Sequence, residues 1–471
     1  MKSCKRKHPL YLVALAILLV ALATTLSACN SGAKTIPGAI TVPDDYTTIQ
    51  AAIDAAEDGD VIVVRPGNYN EKINFNGKNI TLRSTDPDDP EVVATTVIDA
   101  GGVGSVVTFS SGESESALIT GFTIQGGSGS PEVLTFEIEG EMQEVPSYYG
   151  GGIIILNDSS PTISKNVIMN NVAERGGGIL SYGSAPVITG NKVVDNISTG
   201  GGGGFFIANS SAMINENEVK NNSAGRSGGA IAISGEGDSY SIIENNTIGD
   251  NRAETGAAFS IYQASPVISG NSIINNSANE RGGGFYMILS SPTISDNDIS
   301  DNTAGPSGGG IAVYFESSPL IENNIIIGNN ADDGAGIAVY FKSSPQISSN
   351  TISDNRARFG GGISVLEESA PEINGNEITG NYVELNGAAI FVQNSSAVID
   401  GNTIRANEAR RDGGGIYAVL NAIVTASNNN FDGNRANQGG AMHFSDGSSL
   451  QLSNPDDNTY QSNVPNDLYE E

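Results

Sequence analysis

Chemistry in this chain would have to come from carboxylates, basic side chains and aromatic rings, because His and Cys are nearly absent. Of 471 residues, 53 are Asp or Glu, two are His and two are Cys. Cys4 and Cys29 both lie near the N-terminus, which excludes a disulfide framework and any Cys metal site. Beyond His8 the only histidine is His443. No Ser-His-Asp or Cys-His set can be assembled around it, and a lone His in a strand reads as structural. Asp296, Asp298 and Asp301 are close in sequence, but they sit in an Asp- and Asn-rich repeat and read as part of it. The glycine clusters lack the Lys-Ser/Thr of a phosphate loop and open no helix. No metal and no cofactor is expected.

What could position a site here is a repeat. A Gly-(Gly/Ala)-(Gly/Ala)-apolar tetrad ends at Ile153, Ile179, Phe205, Ile231, Phe259, Phe285, Ile311, Ile337, Ile363, Ile390, Ile416 and Met442. Between tetrads lie two Asn five residues apart, from Asn166 and Asn171 to Asn458 and Asn463, in twelve pairs mostly 25 to 27 residues apart. A fixed period of this size means a solenoid, whose repeats bury their apolar faces on one another. Apolar runs of three to five residues break at Gly, Asn, Pro or Ser, and no helical period is sustained. The fold expected is all-β: a single-stranded right-handed parallel β-helix with three short strands per coil. Roughly fifteen coils at about 4.8 Å each make a rod about 70 Å long. Asn would take the left-handed bends and stack its amides up the axis, and Gly would relieve crowding at the third corner.

This frame gives two recurring sets of residues a location. If the last tetrad residue points inward, the residues one and three places later point outward. Those places hold Tyr182, Phe206, Tyr262, Tyr286, Tyr314, Tyr340, Phe391 and Tyr417, eight of the 29 Phe and Tyr. Such a stripe could be a platform for sugar rings or a protein partner, or cross-strand stacking that only stabilises a sheet. At the neighbouring corner lie Arg175, Arg226, Arg252, Arg281, Arg356, Arg358, Arg410, Arg411 and Arg435, nine of the fourteen basic residues from Lys165 onward. Acidic residues share that corner, so local neutralisation is one reading and a weak site for anionic glycan the other.

Composition limits the partners. The formal charge is −30, nearer −34 without the four basic residues of the first seven. That excess argues against nucleic acid and against an anionic membrane surface. Residues 1–28 read as an export signal, with a basic start and an apolar run from Leu10 to Leu22. Leu26-Ser27-Ala28-Cys29 resembles a bacterial lipobox, which implies lipidation of Cys29. The membrane would then be engaged through the lipid alone, on the extracytoplasmic side, with the outer membrane or cell surface favoured because Asn30 is not Asp. Residues 29–39 form a tether.

Residues 40–127 are less regular. Ile49, Ala52, Ile53 and Ala56 have helix spacing, with Thr47 or Thr48 as N-cap. Such a helix would cap the open end of the solenoid. Thr48 to Glu71 reads T-I-Q-A-A-I-D-A-A-x-D-G-D-V-I-V-V-x-P-G-x-Y-x-E. It resembles the motif that opens many pectate-lyase-like β-helix proteins, including pectin methylesterases and alginate epimerases, and so implies fold rather than chemistry. Residues 128–149 form an insertion with five Glu, expected as a solvated acidic loop. The repeats of residues 150–471 resemble the G-G-A-I and F-x-x-N repeats of polymorphic outer membrane proteins. The barrel that anchors that family is not expected here, and the half-repeat at Asn458 is expected to form the C-terminal cap.

Motifs of β-helix enzymes are missing. Neither the N-T-D and D-D pairs of polygalacturonase-type hydrolases nor the Q-D-T and G-R-P-W of pectin methylesterases occur. The W-I-D-H of pectate lyases and the D-P-H-D of alginate epimerases are also missing. The sequence therefore points to a monomeric surface module that binds a polysaccharide or a surface protein. A polysaccharide lyase, hydrolase or epimerase with unrecognised chemistry is the alternative.

Overall fold

The computed structural model describes residues 36–138, 141–235, 240–451 and 457–470, apart from the side chains of residues 137 and 138. The expected signal peptide, Cys29 and most of the expected tether lie outside these residues. The described chain winds into parallel sheets of 16, 15 and 15 strands, joined coil by coil in register. One coil shows how the sequence does this. Thr293–Ser295 belongs to the first sheet, Asp298–Ser300 to the second and Ile311–Tyr314 to the third. In each three-residue strand the middle residue points inward, so Ile294 and Ile299 are fully buried, as are Ile311 and Val313 of the longer third strand. The corner between second and third sheets adds a short ladder of its own, seven strands in one stretch and three in another.

The asparagines form two ladders rather than one. The Asn302 amide N–H donates to Asn329 Oδ1 at 2.9 Å, and its Nδ2 donates to the Ile273 carbonyl at 2.8 Å and to Asn329 Oδ1 at 3.2 Å. Asn297, five residues earlier, repeats this with Asn324 and Ile268. The left-handed bend sits one residue earlier than expected, at Asp296 (φ 56°) and Asp301 (φ 53°). The bend residue turns the chain, so that the following Asn points its amide inward, where the neighbouring coils satisfy it. Ser300, which alternation places outside, is only 8% exposed.

The tetrad glycines have a specific cause. Gly308 has φ +66°, and a Cβ on Gly309 or Gly310 would lie 2.7 Å from a carbonyl oxygen of the next coil. The capping helix spans Ile49–Ala55, with Thr48 as N-cap. Glu71, the last residue of the opening motif, accepts the amides of Ile49 and Gln50 at 2.9 Å each. Lys78 donates to the carbonyls of Ile53, Asp54 and Ala56 at the other end. Both ends match the sign of the helix dipole.

The insertion is the main departure from the expected layout. It is not a loop but an antiparallel hairpin, Ser130–Ile138 against Glu141–Tyr149. Its second strand joins the corner ladder through Tyr149 and Arg175. Leu134, Phe136 and Tyr149 are buried against Ile154, Leu156, Leu180 and Phe206 on the outer face of the third sheet. Apolar alternation at Leu134 and Phe136 was the available signal, and the glutamates between them obscured it.

Candidate functional site

The outer face of the third sheet carries the aromatic residues in two columns. They do not form an open platform. Phe206, Tyr286, Tyr314, Phe391 and Tyr417 are buried, Tyr314 to 3% exposure, and Tyr182, Tyr262 and Tyr340 are half-buried. Two physical reasons account for this. Identical positions on successive coils stack face to face, so ring faces are occupied by other rings: Tyr314 and Tyr340 lie 4.8 Å apart at 10°, Phe391 and Tyr417 5.8 Å apart at 3°. The corner also folds back over the face. Ser307 and Tyr314 share a 2.7 Å hydrogen bond, Tyr340 donates to Asp333, and the Arg281 guanidinium lies 5.5 Å from the Tyr314 ring centre. Burial pushes the Tyr314 hydroxyl up to about 12. It also raises Tyr340 and the Asp333 carboxyl, although the Tyr340 hydrogen bond opposes the latter shift. The aromatic columns and the corner thus belong to one packed structure.

His443 belongs to the same face, between Tyr417 and Tyr469 at 4.9 and 4.8 Å. No group of His, Cys, Asp or Glu among the described residues is arranged to hold a metal ion.

Both aromatic columns give way to small residues together in one stretch, although the column through Tyr286 also carries Ala312, Ala338 and Ser364 before Phe391. One column runs Tyr182, Ala208, Ser234, Tyr262 and the other Phe206, Ala232, Ser260, Tyr286. In this stretch, over Ser234, lies a cleft of about 750 Å³. Phe206 and Tyr262 line it from opposite ends, and Phe136 and Met142 of the hairpin line it as well. Tyr262 stacks on no ring among the described residues, so its face is not taken up by a ladder neighbour. Glu174, Arg175 and Arg226 reach the cleft from the corner, and Asn209 and Gln263 from the turn after the sheet. Arg175 is held in place by aromatic faces, 5.0 Å from the Phe136 centroid and 5.4 Å from that of Phe206. The Ser234 hydroxyl, buried in the floor, has no partner among the described residues.

A second feature lay outside the positions singled out in the sequence. Phe315 and Phe341, one place beyond the stripe, stack at 4.6 Å and remain 44% and 38% exposed. Both have left-handed backbones, φ 48° and 54°, a conformation costing about 1–2 kcal/mol for such residues. They line a groove of about 550 Å³ that shares Tyr262 with the cleft.

A parallel β-helix with a concave outer face is the class that fold and site define. The chain belongs to the family described as "Right handed beta helix region", which matches residues 95–238, 183–348 and 293–457. No curated protein matches it. Among solved structures it is similar to the catalytic unit of a thermostable GH87 α-1,3-glucanase from Streptomyces thermodiastaticus, at 12% identity and TM-score 0.33, over 92% of this chain and 71% of that one. It is also similar to the A-module of a mannuronan C-5 epimerase from Azotobacter vinelandii, at 14% and 0.32, over 92% and 95%. The receptor-binding domain of the Siphovirus 9NA tailspike matches at 13% and 0.30, over 92% and 77%. At these scores nothing about chemistry transfers.

Proposed function

We propose that the protein is an extracytoplasmic glycan-binding module, anchored by lipid at Cys29, whose site is the cleft between Phe206 and Tyr262. The observation that carries this reading is the coincidence of the cleft with the break in the aromatic columns. The break leaves the half-buried Tyr262 ring unstacked two coils from Phe206, about 10 Å at the usual strand spacing, room for a sugar ring between them. Guanidinium and amide groups beside aromatic rings are the lining expected of a site that orients a polar ligand. Among the described residues Glu174 is the one carboxylate lining the cleft, whereas glycoside hydrolysis ordinarily uses a pair. That favours binding over cleavage.

A glycan array with product analysis tests the reading. Parent protein should bind a subset of glycans without shortening or otherwise changing them. Phe206→Ala with Tyr262→Ala should weaken that binding roughly ten-fold or more. Unchanged binding by the double variant would remove the cleft from consideration, and accumulating products would favour the enzyme. For the anchor, Cys29→Ser should move the protein from membranes to the soluble fraction, and persistent membrane association would contradict lipidation.

A further inference from the structure

The cleft uses only part of the arginine-rich corner. Farther along the coil, Arg356, Arg358 and Arg410 line a shallow concavity of about 470 Å³ with Tyr382, Asp332 and Glu384. The guanidinium carbons of Arg356 and Arg410 lie 5.0 and 5.7 Å from the Tyr382 ring centre. An arginine laid on a ring by its face keeps its in-plane N–H donors for another partner. All three arginines are exposed. Among the described residues none of them forms an ion pair or donates a side-chain hydrogen bond. Asp332 and Glu384 share the concavity without engaging them. Three unengaged guanidinium forks within three coils are thus concentrated on a chain of formal charge −30.

We infer that this corner is a second binding site, which takes the sulfate or phosphate ester groups of an anionic polysaccharide. The planar fork matches such oxyanions in two-point hydrogen bonding. Arg356 and Arg358 come from one coil and Arg410 from the second coil after it, about 10 Å along the axis at the usual strand spacing, a separation suited to repeated charges on one strand of polymer. A membrane surface fits less well, because it would bring anionic headgroups against the acidic body as well as the corner. This site is independent of the cleft and stands or falls separately.

The test uses dextran sulfate, unsulfated dextran and phosphatidylglycerol vesicles, titrated into the full chain at about 50 and about 300 mM NaCl. Dextran sulfate should bind, more weakly at the higher salt, and dextran should not. The variant Arg356→Ala, Arg358→Ala, Arg410→Ala should lose about ten-fold or more in affinity. A charge-matched control, Lys165→Ala, Lys192→Ala, Arg405→Ala, should lose about two-fold or less, because those residues already pair with Asp88, Glu218 and Glu377. Arg358→Ala alone, which removes no ring contact, should show a smaller loss with unchanged melting. No binding of dextran sulfate by the parent would overturn the inference, as would equal losses in the two triple variants. Vesicle binding without dextran sulfate binding would replace the polysaccharide with a lipid surface.

Discussion

Two kinds of ladder run along this coil, and they differ in continuity. The asparagine ladders inside are unbroken through all twelve pairs. The aromatic ladders outside give way to Ala208, Ser234, Ala232 and Ser260 over adjacent coils. Inside, a missing amide strands polar groups away from water, so every coil needs its Asn. Outside, a ring adds packing where it occurs, but the backbone makes the same in-register pairs without it. Loss of a ring there is structurally tolerable, and the position it frees is available to a ligand.

The interior ladder should give the largest effect. Asn302→Leu takes the acceptor of the Asn276 backbone N–H and one of three from its Nδ2, and removes the donor to the Ile273 carbonyl; it should cost about 3 kcal/mol in urea unfolding. Val267→Ser, on an exposed strand position, should cost within about 0.5 kcal/mol. Equal costs would mean that the inner ladder's continuity is not a structural requirement. Next comes an artificial gap in the filled outer ladder. Tyr314→Ala removes a ring that is stacked, hydrogen-bonded and 3% exposed. It should cost about 2 kcal/mol, less than the 3–5 kcal/mol typical of a central aromatic. A cost as large as that of Asn302→Leu would erase the distinction between the ladders.

The smallest effect is a pH dependence. Burial raises the Asp333 carboxyl above the ordinary range, so folding favours its protonated form. The associated stability is complete below the unfolded value, about 3.9, and is lost as pH rises through the folded one. Asp333→Asn keeps an acceptor for Tyr340 and removes the titration. The variant should melt above the parent at neutral pH, with the difference shrinking toward acid pH. Parallel melting profiles from about pH 4 to 7 would contradict this.

The coil was legible because strands, asparagines and glycines repeat in one register, and because Thr48 to Glu71 contains both the helix and the carboxylate that caps it. The site was less so. The stripe positions follow from alternation, but alternation does not show that Ser307 or Asp333 folds back over them. Nor does it show that rings one coil apart occupy each other's faces. The hairpin occurs once, so no period marks it, and glutamates mask Leu134 and Phe136. Phe315 and Phe341 were missed because a bulky residue is not anticipated in a left-handed turn. The small residues Ala208 and Ser234 were visible in the sequence as accepted alternatives to aromatics, but their grouping gains significance only beside the cleft.

Filling the gap tests the central claim most directly. Ser234 stands seven residues after Ser227, as Tyr314 stands seven after Ser307, and Ser227 occupies the same corner register. Ser234→Tyr should therefore reproduce the Ser307–Tyr314 pair inside the cleft and stack toward Tyr262. Thermal unfolding and glycan-array binding, measured on the same preparation, decide the matter. The account predicts melting equal to or above that of the parent, with binding reduced roughly ten-fold or more. A well-folded variant that binds every glycan as the parent does would contradict it.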